Sequence, residues 1–459
     1  MSAVERLLAA HRAGGAPLSI LSASGQLGFG ILEAAFKNGV ARRPHFIGAD
    51  MGSVDPGPYY LGSGKMAASP TIARRDLEMV LLAARSLDVP LVIGSAGTAG
   101  ALPHLQATLA IVRDIAREHS LHFRLATIES DIPAATVIAA ARAGRLASLA
   151  HMPAVTEDEI RACSHVVGQC GTETFRRAFE LMPDVVIAGR ACDTAVFSAL
   201  PEMLGYAPGE CAHMAKIIEC ASICCSPGGR DAMLATLDPE GFVLESMNPA
   251  RHATPASVAA HALYEQTDPH EVIEPTGRVL LDSARYTALD NHRTRVSGAR
   301  WEHAAQPSIK VEGALWLGER AVLLAGTVDP SFIQALPQVL RDVEATSRGI
   351  VPGAWQVFPR GYGLGAIRPL PAGGPLPAEV GLVIEFIGAT AELALAAAAV
   401  FRQHLLHHGF AGRVSTAGNI AFAFTPPEFA CGSAYRFALY HVMQVDDIAA
   451  HFKVAVESV

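Results

Sequence analysis

Residues 17–30 of the chain read PLSILSASGQLGFG, a short apolar run that leads into a glycine-rich loop. Residues 90–100 read PLVIGSAGTAG and repeat this arrangement, and a helical pattern follows each loop. Further strand-like runs lie at 45–48, 121–128 and 184–188, and helical patterns at 31–38 and 72–87. Strands that alternate with helices indicate βαβ units. The sequence therefore predicts an α/β fold built on a doubly wound, mainly parallel sheet.

The pattern changes in the C-terminal part of the chain. Strand-like runs occur at 308–313, 321–326 and 381–387, and a helical pattern covers 391–407. Residues 352–377 are rich in glycine and proline and are predicted to be mostly loop. We place a boundary near 290–305, after the polar turn at 290–293. The prediction is an α/β domain over 1–295 and a second, smaller α+β domain over 305–459.

The composition limits the class of protein. Half of the 459 residues are hydrophobic and 17% are charged, which is enough apolar material for a large core. The net charge of −8 argues against generic binding to nucleic acid, because such binding requires a basic surface. No uninterrupted apolar run reaches the ~18 residues of a membrane helix, and the first residues do not resemble a signal peptide. We therefore expect a cytoplasmic protein that does not contact the membrane, and the low charge favours a homo-oligomer.

Seven of the eight cysteines lie between residues 163 and 225, and none belongs to a CxxC pair. Because the usual ligand spacings are missing, no metal or iron–sulfur site is predicted. The cysteines are expected to be thiols, either as small buried side chains or, at Cys220 or Cys224, as a reactive group. No motif for a covalent cofactor is present, so no cofactor is predicted.

The two glycine-rich loops are candidate binding sites. Such loops lie at the carboxyl ends of strands, where ligands bind, and glycine lets backbone N–H groups approach an anion. Neither loop has the GxGxxG pattern of a dinucleotide site or the GxxxxGK[ST] pattern of a P-loop. The loops are either tight turns only or an anion site for a carboxylate or phosphate. The predicted substrate-binding residues are Gly25, Gln26, Gly28, Gly30, Gly94, Ser95, Ala96, Gly97 and Thr98.

Charged residues follow three of the predicted strands. Asp50 and Asp55 lie in a loop after the second strand, where Asp50 is a candidate general base or metal ligand; turn chemistry is the alternative for both. Glu129 ends the fourth strand and is another candidate acid/base group. Arg190 and Asp193 follow the strand at 184–188, and Arg190 is either a clamp for a substrate carboxylate or the salt-bridge partner of Asp193.

Two further groups of polar residues are candidates. Lys310 and Glu312 alternate on a strand, which places both charges on one face as either a surface pair or a site pair. Asn248 and Arg251 belong to a polar cluster at 248–252 and are predicted to bind substrate. His252 of that cluster is either an acid/base group or structural.

Several motifs occur in a fixed order: GQLGFG at 25–30, GADMGSVDPGPYYLG at 48–62, IGSAG at 93–97, AGR at 188–190, ESMNPAR at 245–251, VSG at 296–298, KVEG at 310–313 and TAGN at 416–419. Together they resemble the acyclic terpene utilisation protein A family, formerly a domain of unknown function, over nearly the whole chain. The resemblance implies a cytoplasmic protein of carboxylate and acyl-CoA catabolism, with CoA as part of the substrate and a small companion protein. It adds Asn419 to the candidate substrate-binding residues and assigns no catalytic residue.

The chain departs from the family pattern at two places. It has Cys224-Cys225 where one cysteine is usual, and Thr327-Val328-Asp329-Pro330 lacks an arginine expected before the Asp-Pro pair. If that arginine binds substrate, the specificity of this chain differs.

These observations predict a catabolic enzyme that hydrates or dehydrates a small carboxylate or acyl-CoA thioester, a hydro-lyase. Adding water to a conjugated double bond needs an acid/base carboxylate and a group that stabilises the enolate. The predicted catalytic residues are Asp50, Glu129, Lys310 and Glu312. Two alternatives remain: a thioester or amide hydrolase with Ser95 or Cys220 as nucleophile, and a non-catalytic binding or scaffold subunit completed by a small partner protein.

Overall fold

The computed structural model describes residues 1–11, 17–264, 266, 268–371, 374–414 and 419–459. They form two compact units: Met1–Leu315 with Phe437–Val459, and Trp316–Arg436. The α/β class is confirmed, and the finer description of the sheet as doubly wound stays a prediction. In the described part of the chain, no helix combines the length and the apolar character needed to cross a membrane.

The first unit contains eleven of the described helices and most of the described strands. Its helices are α1 (Ala3–His11), α2 (Glu33–Ala41), α3 (Tyr59–Ser63), α4 (Pro70–Leu87), α5 (Leu102–Glu118), α6 (Ala134–Arg142), α7 (Glu157–Ala162), α8 (Thr172–Glu180), α9 (Asp193–Met203), α10 (Pro208–Ile218) and α11 (Pro255–His261). Its first seven strands are β1 (Leu18–Ser22), β2 (Phe46–Asp50), β3 (Leu91–Gly94), β4 (Arg124–Glu129), β5 (Leu146–Ser148), β6 (Cys163–Gly168) and β7 (Val185–Ala188).

The chain then continues through strands β8 (Met233–Asp238), β9 (Gly241–Ser246), β10 (Glu271–Glu274), β11 (Gly277–Leu280), β12 (Arg285–Ala288), β13 (Arg293–Ser297) and β14 (Arg300–His303). The remaining elements are β15 (Ser308–Thr327), α12 (Pro330–Ile350), β16 (Trp355–Tyr362), β17 (Val380–Gly388), α13 (Ala391–His407), β18 (Glu428–Gln444) and β19 (Lys453–Ser458).

A ten-stranded sheet forms the centre of the first unit, in the order β12-β13-β9-β8-β1-β2-β3-β7-β4-β19. The five strands from β1 to β4 in this order pair in parallel, and the flanking strands pair antiparallel, so the sheet is mixed. Neighbouring residues such as Ile20 and Leu21 point to opposite faces and enter two different apolar clusters. Helices therefore pack on both faces of the sheet.

The C-terminal strand belongs to the first unit. β19 pairs with β4 along its whole length, although the sequence placed residues 453–458 in the second domain. Residues 308–315 also belong to the first unit, where Val311–Leu315 of β15 pairs with β6. Pairing between strands that are remote in sequence, rather than the polar turn at 290–293, determines the extent of this unit.

The second unit is a sheet covered on one face by two helices. Residues 319–327 of β15 pair with β17, and β17 pairs with β16, all antiparallel. α12 and α13 contribute Phe332, Val339 and Phe401 to the apolar cluster on that sheet. The range 352–377, predicted to be mostly loop, contains one strand, β16, which forms because Trp355 packs into this cluster and its strand pairs with β17.

Candidate functional site

Asp50 lies where two neighbouring parallel strands end. It is the last residue of β2 and stands beside Gly94, the last residue of β3. The space between them is small, because a Cβ atom on Gly94 would lie 2.5 Å from Asp50 Oδ1. The Asp50 side chain thus occupies the space that the missing side chain of Gly94 leaves open.

Only one of the two oxygens of the Asp50 carboxyl group has a hydrogen-bond partner among the described residues. Asp50 is 5% exposed, and its Oδ2 accepts a hydrogen bond from the Gly52 N–H at 2.7 Å. The other oxygen, Oδ1, is buried and has no hydrogen-bond partner within the described chain. Burial, together with the neighbouring Asp193 carboxylate, raises the pKa of Asp50 well above its usual value, although the Gly52 N–H, Arg190 and Ser95 oppose this rise. This environment favours the protonated, neutral form of the carboxyl group.

A cavity of about 250 Å³ adjoins Asp50 in the first unit. Its walls come from the loops after β1 and β2, the start of α9, the end of α10 and the segment after α11. The lining residues are Gly25, Gln26, Asp50, Gly52, Ser53, Asp55, Pro56, Asp193, Glu219, Cys220 and Tyr264. Four of these are carboxylic acids, and no lysine or arginine is among them.

Sequence reasoning missed the contribution of α10 to this cavity. Glu219 follows the last turn of α10, is 3% exposed, and accepts a hydrogen bond from Lys216 Nζ at 2.6 Å. Lys216 also lies 5.9 Å from the centre of the Tyr264 ring. The only signal in the sequence is the spacing of three between two opposite charges on a helical stretch, which is common on helix surfaces.

Glu274 stands near these groups at the end of β10. Its carboxylate accepts a hydrogen bond from the Thr194 hydroxyl at 2.8 Å. Burial raises the pKa of Glu274 to about 7, and the charges of Asp193 and Glu202 act in the same direction while Thr194 and Lys216 oppose it.

Arg190, Glu312 and Lys310 form an ionic network in which Arg190 and Glu312 are buried. Arg190 Nε donates to Glu312 Oε2 at 2.8 Å, and Lys310 Nζ lies 3.0 Å from Glu312 Oε1. Arg190 Nη1 also reaches the Ser95 hydroxyl at 3.4 Å, and Lys310 donates to the Tyr440 hydroxyl at 2.9 Å. The structure therefore brings these predicted site residues together as one network, in which Arg190 pairs with Glu312.

The first glycine-rich loop already binds an anion, and that anion is a side chain of the same chain. The N–H groups of Gly28, Gly30 and Ile31 donate to the Asp76 carboxylate at 3.0, 2.8 and 2.9 Å. Asp76 lies on α4 and is fully buried. Gly28 and Gly30 therefore attach the loop to α4 through Asp76, whereas Gly25 and Gln26 of the same loop line the cavity.

The second glycine-rich loop is buried throughout. The N–H groups of Ala96, Thr98 and Gly100 donate to carbonyl oxygens of Ala188, Ser95 and Ala96. Gly97 has a positive φ of 60°, and a Cβ atom there would lie 2.8 Å from His104 Cβ. Both the backbone conformation and the lack of space therefore favour glycine at this position. These N–H groups serve the fold of the loop rather than an anion in the cavity.

Other predicted site residues make contacts elsewhere. Glu129 forms an ion pair with Lys453 at 2.8 Å, and among the described residues no hydrogen bond or ion pair joins it to the cavity. Asn248 and Arg251 both donate to Asp231. Asp55 accepts from the Ser53 hydroxyl at 2.6 Å and lines the cavity from an exposed turn.

Asn419, in the second unit, donates to Asp329, which caps the N-terminus of α12 by accepting from the N–H of Ser331. Thr416, Ala417 and Gly418 of the TAGN motif lie outside the described residues.

The candidate nucleophiles Ser95 and Cys220 differ in how exposed they are. The Ser95 residue is fully buried, and its hydroxyl lies near Arg190 and the backbone of Ala191. Cys220 is half-buried and lines the cavity. Burial raises the pKa of Cys170 to about 12, so that thiol stays protonated. Across the described ranges, no group of three or more His, Cys, Asp or Glu side chains has an arrangement that could hold a metal ion.

Comparison with known proteins gives one family match over part of the chain. Residues 71–230 match the model of the acyclic terpene utilisation family protein AtuA. The match confirms the family resemblance over about a third of the chain, and it includes Arg190, Asp193 and Glu219 of the AtuA-like region. Asp50 and Lys310 lie outside the matched range. No curated protein and no solved structure matches the chain.

Proposed function

We propose that this chain adds water to, or removes water at, the double bond next to a carbonyl group in a small acyl thioester or carboxylate, with Asp50 as general acid. The AtuA family match supports a role in terpene utilisation. The observation that supports this reaction is the buried Asp50 carboxyl group. Its Oδ1 has no hydrogen-bond partner among the described residues, and the residue lines a cavity at the carboxyl ends of parallel strands.

The protonation state of Asp50 suits this role. When hydroxide adds to the β-carbon of a conjugated carbonyl compound, negative charge moves to the carbonyl oxygen and the α-carbon must receive a proton. A neutral carboxylic acid supplies this proton, and the raised pKa of Asp50 favours that neutral form. In the reverse direction the Asp50 carboxylate removes the α-proton.

Gln26 is the best-placed group to bind the carbonyl oxygen. Its Nε2 donates to the Met51 carbonyl oxygen at 3.4 Å, which is a long contact, and an amide has two N–H donors. Gln26 lines the cavity together with Asp50. Donors aimed at a developing oxyanion lower the barrier, so Gln26 is the group that stabilises the enolate in this proposal.

The size and charge of the cavity favour a short, neutral acyl group. A volume of about 250 Å³ lies below the ~300–1,000 Å³ of pockets for drug-sized ligands. The carboxylic acids in the lining other than Asp50, namely Asp55, Asp193 and Glu219, repel a free carboxylate when they are ionised, whereas the carbonyl group of a thioester carries no charge. A thioester is therefore the preferred substrate class within this proposal.

The test uses crotonyl-CoA, a short unsaturated thioester, with the purified full chain. We expect loss of the conjugated thioester absorbance with the wild type, a rate lower by about 100- to 10,000-fold with Asp50→Asn, and the wild-type rate with the surface control Asp114→Asn. Binding of crotonyl-CoA without turnover would contradict the proposal and favour a binding subunit. Turnover that Asp50→Asn does not change would remove Asp50 from the mechanism.

A further inference from the structure

Glu219 is a second carboxyl group in the wall of the same cavity, in an environment unlike that of Asp50. Lys216 Nζ lies 2.6 Å from Glu219 Oε1, and both side chains are buried, with 9% and 4% of their surfaces exposed. A cation at this distance favours the ionised form of a carboxylate. Asp50 has no cation at hydrogen-bond distance among the described residues, and the nearby Asp193 carboxylate favours its neutral form.

The position of the Glu219 carboxylate lowers the stability of the folded chain. It follows the last turn of α10, where the partial negative charge of the helix end disfavours a carboxylate. Burial adds a further cost for any charged group. Lys216, in the last turn of the same helix, offsets part of both costs. A charge kept at such a place indicates a role beyond stability.

We infer that Glu219 is the general base that activates water in the hydration reaction, with Lys216 as its positioning residue. This inference rests on the proposed function. Two carboxyl groups whose surroundings favour opposite protonation states, on the walls of one cavity, are the arrangement that acid/base chemistry requires.

In the hydration reaction, Glu219 removes a proton from water, and the oxygen of that water forms a bond to the β-carbon. The π electrons of the C=C bond form a double bond between the α-carbon and the carbonyl carbon, and those of the C=O bond move to the carbonyl oxygen. The enolate then takes a proton from Asp50 at the α-carbon as the C=O bond forms again. Glu219 is left neutral and Asp50 ionised, and exchange of one proton with solvent at each group restores the starting state. No oxidant or reductant is needed.

The groups around Glu219 are consistent with this assignment. Lys216 is in direct contact, Tyr264 lies over Lys216, and Asp50, Asp193 and Cys220 share the cavity wall. Asp55 and Asp193 are the other carboxylic acids in the wall besides Asp50. The Glu219 carboxylate is ion-paired with Lys216, so we expect substitution of Lys216 to act on Glu219 directly.

The experiment separates the two proton transfers. Crotonyl-CoA reports hydration, and 3-hydroxybutyryl-CoA in D₂O reports exchange of the α-hydrogen, which needs Asp50 but not Glu219. We expect Glu219→Gln to lower hydration by about 100-fold or more while α-exchange stays within about tenfold of the wild type. Asp50→Asn should lower both rates.

Two further variants keep the test decisive if Glu219→Gln does not fold. Lys216→Met should lower hydration, and the conservative Lys216→Arg should restore most of it, with circular dichroism to confirm that each variant is folded. Hydration by Glu219→Gln at the wild-type rate, or equal loss of hydration and α-exchange, would overturn the inference and leave the role of Asp50 intact. A wild-type chain that neither hydrates crotonyl-CoA nor exchanges the α-hydrogen would overturn the proposed function together with the inference.

Discussion

Asp50 Oδ1 occupies the space that a side chain on Gly94 would need, since a Cβ there would lie 2.5 Å from this oxygen and equally close to Val196 Cγ2. Gly94→Ala must therefore move the Asp50 carboxyl or the start of α9. We expect hydration of crotonyl-CoA to fall at least tenfold, because small displacements of a catalytic group are costly. Gly349→Ala is the matched control, as a Cβ at that helical position meets nothing within 4 Å. Equal rates for both variants would show that the position of Asp50 is not critical.

The buried pair of Arg190 and Glu312 should contribute strongly to stability. Glu312→Gln removes the carboxylate that pairs with the buried Arg190 and with Lys310, and we expect a loss of about 3–5 kcal/mol in the free energy of unfolding. Glu245→Gln removes a comparable two-point contact with Arg42 at the surface and should cost less than about 1 kcal/mol. Urea unfolding measures both. Similar losses in the two variants would contradict the importance of burial.

The carboxylate of Asp76 should be essential to the first glycine-rich loop. Asp76→Ala leaves three backbone N–H groups, those of Gly28, Gly30 and Ile31, without their acceptor. Each buried donor without a partner costs about 1–3 kcal/mol, so we expect a loss of about 3 kcal/mol or more. Asp114→Ala on the surface is the control. Faster hydrogen exchange at Gly28 and Gly30 should accompany the loss, and unchanged exchange would contradict this assignment.

Glu274 should make the stability of the protein depend on pH. Its pKa rises from 4.5 to about 7 in the folded chain, so between these values the folded state holds a proton that the unfolded state releases. The free energy of unfolding should therefore fall as pH rises from about 4.5 to 7.

Glu274→Gln keeps an acceptor for Thr194 but does not titrate, so its stability should change less between pH 5 and pH 8. Denaturant unfolding at both values measures this difference, with the surface variant Glu118→Gln as control. A slope equal to that of the wild type would contradict the raised pKa. Because Glu202 has a similar pKa of about 7, part of the slope should remain.

The acidic lining of the cavity predicts discrimination by charge. The crotonyl thioester of N-acetylcysteamine and free crotonate share the same acyl group, but only crotonate is charged at neutral pH. We expect the thioester to bind at least tenfold more tightly, measured by its effect on the melting temperature or by calorimetry. Tighter binding of crotonate would show that a cation outside the lining controls the site.

Local patterns in the sequence predicted the elements whose stability is local. The helical pattern over 391–407 coincides with α13, and the Thr390 side chain caps the first turn of that helix. The runs at 308–313 and 321–326 are one strand, β15, whose alternation is broken by an irregular register at Ala314/Leu315 and a positive φ of 138° at Gly318. Only the partner strands β6 and β17 make these two runs continuous, and they are remote in sequence.

The site was predictable where it follows from strand ends. Asp50 and Gln26, which were predicted from their positions after β2 and β1, both line the cavity. The Asp76 carboxylate could not be foreseen as the anion of the first loop, because it comes from a helix 46 residues beyond Gly30. Glu219 and Lys216 were missed for the same reason: a charged pair three residues apart on a helix looks the same whether the helix faces solvent or a cavity.

The contact between β4 and β19 has a consequence for synthesis in the cell. Glu129 and Lys453, which meet at the end of this pair, are 324 residues apart in sequence. At about 5–20 residues per second, the ribosome needs roughly 15–65 s to make the residues between them. Throughout that time the edge of β4 is without its partner and open to pairing with other chains. Until its final strand emerges, the nascent chain avoids aggregation at this edge only if a chaperone covers the edge or if pairing with other chains is slow.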